Sequence, residues 1–162
     1  MNKQIINKLC IIGVGLIGGS LARALKKAGA EGEVVGAGRN VAHLEKAKAL
    51  GVIDHFETDI SLAVKDCDMV VVAVPLGAMQ SVFEKIAPVI TNDMIITDVG
   101  SAKGSVVKAA QAAFKVIPET LVPGHPIAGT EKSGVEASFP ELYENRRIII
   151  TPLETSSNTA IE

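Results

Sequence analysis

The sequence has no tryptophan, one tyrosine and four phenylalanines, so aromatics make up 3% of its 162 residues. That scarcity removes the stacking platforms on which proteins hold single-stranded nucleic acid. It also lacks an excess of charge of one sign. Sixteen Lys and Arg against eighteen Asp and Glu leave a formal net charge of -2, which gives no electrostatic case for nucleic acid or an anionic membrane. Cysteine is scarce as well: Cys10 and Cys67 stand apart inside apolar runs. They read as small buried hydrophobes of a reducing compartment rather than as a disulfide framework. No apolar run approaches the ~20 residues of a membrane span. The opening MNKQIINKLCIIG has too short an apolar run for a signal peptide. The expectation is a soluble, cytoplasmic protein with no nucleic-acid or membrane partner.

What the chain does have is apolar content, 48% of its residues, arranged in alternation. A chain of this length buries about 70% of its unfolded surface as one domain. Short β-branched runs occur at 8–12, 33–36, 68–74, 94–99, 121–122 and 147–151. Helical stretches lie between most of them, at 16–28, 41–50, 76–87 and 104–114. In the first, Ile17, Leu21, Leu25 and Ala28 share one face and Gly29 stops the helix. Runs such as VVVAV at 70–74 are continuously apolar, as in strands covered on both faces. Strands alternating with helices predict an α/β fold with a doubly wound, mostly parallel sheet, the Rossmann dinucleotide-binding architecture. The residues from 154 to 162 lose apolar content and read as a frayed tail or linker.

Directly after the first predicted strand comes Gly13-Val14-Gly15-Leu16-Ile17-Gly18. A GxGxxG triplet alone is a weak signal, but here it follows a buried strand and opens a helix. Gly13 permits the tight turn, Gly15 lets backbone approach a diphosphate, and Gly18 allows close helix–strand packing. The N–H groups of residues 15 to 18 and the helix dipole favour the anion. The end of the second strand bears on which dinucleotide binds. An acidic residue there would bind the ribose hydroxyls of NAD; this chain has Gly38, Arg39 and Asn40. Without the carboxylate, a 2′-phosphate meets no repulsion, and a guanidinium can bind it with two hydrogen bonds. The sequence therefore favours NADP, with NAD as the alternative. Arg39 could instead stack on adenine or face solvent.

Ligands in open parallel sheets bind outside the carboxyl ends of the strands, so residues just past each strand are informative. Val74 ends the third apolar run and Pro75 follows it, and the two would wall the nicotinamide ribose. Ser101 and His125 end neighbouring predicted strands and should face one crevice. From the residues alone, a helix N-cap is the better reading of Ser101, and His125 reads equally as a loop histidine bonded to backbone. Asp98 reads as a residue that fixes the following turn. His43 and His55 offer no metal-ligand spacing, and no metal is expected.

The stretches GVGLIGGSLARALKKAG, VVVAVPL, TDVGSAKG and above all GHPIAGTEKSGVEAS resemble the TyrA family: prephenate, arogenate and cyclohexadienyl dehydrogenases of tyrosine biosynthesis. The resemblance runs from about residue 8 to 152. It implies an oxidative decarboxylation, in which a hydride goes to the nicotinamide, carbon dioxide is lost and the substrate ring becomes aromatic. It also implies roles. His125 matches the histidine that accepts the substrate hydroxyl proton. Ser101 matches a serine that hydrogen-bonds near that hydroxyl and the nicotinamide. Thr130 and Glu131 match positions lining the substrate pocket.

Family members continue into a helical C-terminal domain that dimerises and supplies a basic group for the substrate. The expectation is thus a Rossmann domain at 1–152 and, at 153–162, a tail or linker toward a domain that this sequence does not include. Such a chain would bind the dinucleotide and turn over substrate poorly. A homodimer would form through the helical domain. The rival readings are a stand-alone NADP-binding module and another oxidoreductase on this scaffold, of the β-hydroxyacid dehydrogenase or imine reductase type.

Overall fold

The computed structural model describes residues 6–30 and 32–162. The first half of the chain folds as β1 (Lys8–Ile12), α1 (Leu16–Lys27), β2 (Glu33–Ala37), α2 (Val41–Ala49), β3 (His55–Glu57), α3 (Ile60–Ala63) and β4 (Met69–Val72). A 3₁₀ turn at Leu76–Ala78 then leads into α4 (Met79–Ile86), β5 (Ile95–Asp98) and α5 (Lys103–Ala113). The last elements are β6 (Gly124–Pro126), 3₁₀ turns at Val135–Ala137 and Pro140–Tyr143, β7 (Ile148–Ile150) and α6 (Asn158–Ile161).

Five strands form a parallel sheet in the order β3-β2-β1-β4-β5. The chain therefore winds outward from β1 in one direction and then returns to build the other half. Registers are level at the carboxyl edge, because Ile12 pairs with both Ala37 and Val72, and Val72 pairs with Asp98. Gly13, Gly38, Ala73 and Val99 consequently emerge along one rim. That rim, at the point where strand order reverses, is where such sheets take their ligands.

Strand periodicity divides the core between the two faces of the sheet. Cys10, Ile12, Val70, Val72 and Ile96 pack with Phe83, Ile86 and Val106 on one side. Leu9, Ile11, Val34 and Val71 pack with Ala22, Leu44 and Ile53 on the other. Each Val, Leu, Ile or Phe side chain buried this way contributes about 1.5–3 kcal/mol, and both faces being covered explains the continuous apolar runs. Cys10 and Cys67 are free and share the first of these clusters. A hydrogen bond with Cys67, together with burial, pushes the Cys10 thiol up. It stays neutral and behaves as a small hydrophobe.

The structure departs from the sequence expectations in four places. The strand expected at 121–122 is a single parallel bridge between Leu121 and Ile96. The pairing ends there because the chain turns at Pro123 to form β6, which runs antiparallel to β7. The strand expected at 147–151 is thus outside the parallel sheet. β3 and α3 were not anticipated: they contain only three and four residues, too few to establish a period. Finally, residues 154–162 do not fray. Ser156 Oγ donates to the Leu121 carbonyl at 2.8 Å and the Ser157 amide to the Glu119 carbonyl at 2.8 Å. Ser157 also caps α6 by accepting from the Ala160 amide.

Candidate functional site: a crevice with two polar stations

At the first station the backbone shapes the site. Gly13 has φ +94°, and a Cβ there would lie 2.4 Å from the Ala73 carbonyl oxygen. A Cβ on Gly18 would meet the Gly13 carbonyl oxygen at 2.5 Å and Ile11 Cγ2 at 2.8 Å. Both positions need glycine because β1, β4 and α1 come together there. Gly15 differs: nothing lies within 4 Å of where its Cβ would be. It caps α1, and its open side is a cradle at a helix N-terminus, suited to an anion. Leu16 is buried in the fold, while the Ile17 carbonyl accepts the Tyr143 hydroxyl at 3.0 Å.

Two adjoining cavities of about 260 and 530 Å³ extend from this loop. Gly13, Gly38, Arg39, Val74 and Pro75 line both. Asn40 and His43 add to the smaller, Ser81 and Lys85 to the larger. Of the expected cofactor residues, Gly13, Gly15, Gly38, Arg39, Asn40, Val74 and Pro75 line this space, while Leu16, Ile17, Gly18 and Ser101 line neither cavity. With the open Gly15 at its head, the space fits a dinucleotide. Arg39 is exposed at the edge of both cavities. Asn40 has a second task that the sequence reading missed. Its Oδ1 accepts the His43 amide at 3.1 Å and so caps α2. His43 was also missed as a contributor: its Nε2 lies 2.7 Å from the Val14 carbonyl oxygen.

A side chain shapes the second station. Asp98, at the end of β5, is buried. Its Oδ2 accepts the Gly100 amide at 2.8 Å, and its Oδ1 accepts the Gly124 amide at 3.2 Å. Lys103, in the first turn of α5, donates to Asp98 Oδ2 and to the Gly124 carbonyl. One carboxylate therefore holds the residue before Ser101 and the residue before His125. The turn-fixing role read for Asp98 is present and reaches further, to β6.

Ser101 is exposed and is not the helix cap: α5 begins after Ala102, with no side-chain cap bond. His125 lies within β6, paired with Ile149, rather than in a loop past a strand. Its ring is half-buried and, among the described residues, has no hydrogen-bond partner. Thr130 and Glu131 occupy the exposed segment after β6. The Thr130 hydroxyl accepts the Lys132 amide at 3.1 Å, and among the described residues no hydrogen bond joins Thr130 or Glu131 to Ser101 or His125. His55 is remote on β3, 3.7 Å from Glu33.

Lys103 could have been suspected from sequence, since an acid at a strand end followed by glycine and a lysine five residues on suits a closed turn. The His43 bond had no comparable signal, because it spans 29 residues.

Comparison with known proteins sets this crevice in a lineage. The chain is 38% identical over 148 residues to the cyclohexadienyl dehydrogenase of Zymomonas mobilis, covering 91% of this chain and 50% of that protein. It is 36% identical over 162 residues to the prephenate dehydrogenase of Bacillus subtilis, covering 98% and 43%. Among solved structures, it superposes with a TM-score of 0.87 on prephenate dehydrogenase from A. aeolicus in complex with hydroxyphenyl propionate and NAD+, at 34% identity over 99% of this chain and 55% of that one. For Synechocystis arogenate dehydrogenase the TM-score is 0.84 and the identity 28%, over 95% and 53% of the two chains. The chain spans about half the length of the curated relatives it matches. The family model for the nucleotide-binding domain of prephenate dehydrogenase matches residues 21–162. The chain belongs to that family.

Proposed function

We propose that this chain is the cofactor-binding part of an enzyme that oxidatively decarboxylates prephenate, arogenate or both, using NADP in preference to NAD. The observation that carries the proposal is the Asp98 carboxylate, which draws the neighbours of Ser101 and His125 together beside the glycine-loop crevice. The relatives' names and the NAD+ in the A. aeolicus complex support the same reading. Arg39, just past β2 in a cavity that no carboxylate of the described residues lines, supports NADP.

In this reading the open Gly15 and the first amides of α1 receive the diphosphate, on a turn that Gly13 and Gly18 allow to pack closely. Gly38, Arg39 and Asn40 face the adenosine ribose, and Val74 and Pro75 wall the nicotinamide side. When bound, the dinucleotide supplies a hydride acceptor. His125 holds the substrate's hydroxyl proton as electron density leaves the carbon bearing it, and returns the proton to the phenolic oxygen. The ring carboxylate departs as carbon dioxide, and its bonding pair completes the aromatic ring. An imidazole with no hydrogen-bond partner among the described residues can make that bond. Ser101 orients the hydroxyl by hydrogen bonding, and Thr130 and Glu131 close over the substrate from the segment after β6. Aromatisation drives the reaction, which leaves alignment and proton handling to the protein. The basic group for the substrate carboxylate and the dimer contact come from beyond these 162 residues.

Reduced-nicotinamide absorbance with prephenate and with arogenate, recorded on a protein carrying this domain at its relatives' length, tests the proposal. His125→Asn should lower turnover by at least about 10²-fold while leaving cofactor affinity unchanged. Retained turnover would remove His125 from the base role.

A further inference from the structure

We propose that His43 is a positioning residue for the dinucleotide's diphosphate. Its imidazole fixes the Val14–Gly15 peptide so that the Gly15 N–H faces the ligand. This rests on reading the glycine loop as the dinucleotide site.

The argument starts from a softness in the loop. Glycine adopts either sign of φ at little cost, so the peptide entering Gly15 has a flipped alternative in which its carbonyl and N–H exchange directions. A carbonyl turned into the crevice would repel a diphosphate; an N–H turned into it would bind one. In the structure Gly15 has φ -99°, and the Val14 carbonyl accepts a hydrogen bond from His43 Nε2 at 2.7 Å. The carbonyl can only accept, so Nε2 carries the proton. In a trans peptide the C=O and N–H point in opposite directions. Holding the Val14 oxygen against α2 therefore turns the Gly15 N–H away from α2, toward the open cradle. That N–H has no acceptor among the described residues, and nothing fills the space beside Gly15.

His43 is itself held in place. Asn40 Oδ1 accepts its amide at the start of α2. The next residue, Leu44, is buried in the core beneath and fixes the rotation of the helix. The same Asn40–His43 turn that follows Arg39 thus reaches back to the glycine loop. Arg39 would act on the 2′-phosphate alone, whereas His43 would act on the diphosphate that NADP and NAD share.

The two roles separate on the 162-residue chain without any turnover assay. Calorimetric titration with NADP+ and with NAD+ is compared for the wild type, His43→Leu and His43→Gln, and the Gly15 amide is followed by NMR. His43→Leu should weaken both cofactors alike, by about tenfold, as expected for one lost hydrogen bond to a charged group. It should also reduce the shift of the Gly15 amide on binding. His43→Gln keeps an N–H donor and should recover most of the affinity. Unchanged binding by His43→Leu would overturn the proposal. So would a loss that glutamine does not repair, or a full Gly15 shift in the leucine variant. If the wild-type chain binds neither cofactor, the dinucleotide reading itself fails.

Discussion

The glycine-loop end of the crevice and the His125 end are held by different means. At the first, backbone meets backbone: Gly13 and Gly18 bring β1, β4 and α1 closer than any side chain permits. At the second, one buried carboxylate gathers the end of β5, the start of α5 and the start of β6, with Lys103 as its counter-charge. The first arrangement is spoiled by adding an atom, the second by removing one. The contrast suits their proposed duties, since a diphosphate needs only a fixed cradle of amides. Proton handling needs two side chains brought from distant parts of the sequence.

The largest effect should come from removing the clamp. Asp98→Ala leaves the Lys103 ammonium largely buried without its partner and strips two amides of their acceptor. It should cost about 3–5 kcal/mol of stability, measured by urea unfolding. A cost below about 1 kcal/mol would mean that the two ends are not built differently after all. Next, Gly18→Ala should cost about 1–3 kcal/mol through overpacking and weaken dinucleotide binding as α1 is pushed from β1. Finding binding intact would show that the close approach serves the fold alone. Arg39→Ala should leave stability unchanged and lower NADP+ affinity about tenfold, with NAD+ affinity unaltered in the same titration.

The smallest effect lies behind the glycine end, where Tyr143 supports α1. Burial pushes its hydroxyl up to about 12. The folded state therefore holds this proton more tightly than the unfolded state, in which tyrosine titrates near 10. Its contribution is complete below about pH 10 and is lost as pH rises toward 12. Tyr143→Phe should cost about 1 kcal/mol near neutrality. It should also flatten the fall in melting temperature between about pH 10 and pH 12.

The glycine end was largely legible in the sequence because its determinants are local. Strand, GxGxxG and helix are contiguous, and Arg39 follows β2 directly. The second end was legible in its residues but not in its geometry. His125 was placed past a parallel strand, yet it sits in β6, because the partner strand β7 begins 22 residues after β6 ends. Ser101 could be read as a cap because a serine just ahead of a helix carries the usual cap signal, whereas α5 starts one residue further on, after Ala102. Asp98 was seen as a turn former, but its bond to Gly124 spans 26 residues and leaves no periodic trace. β3 escaped notice for a different reason: Phe56 is the one apolar residue in that three-residue strand.

The strand order also bears on how the chain is made. β1 lies at the centre of the sheet, between β2 and β4, yet it is synthesised before either. Once β2 has paired, one side of β1 still shows a row of unsatisfied N–H and C=O groups until residues 69–72 arrive. At about 5–20 residues per second, a ribosome needs a few seconds to span that gap. During this wait the future middle of the sheet is an open edge, the kind of surface on which nascent chains pair wrongly. The apolar run of β4 ends that exposure, so the strand that completes the crevice also closes the most vulnerable interval in the protein's birth.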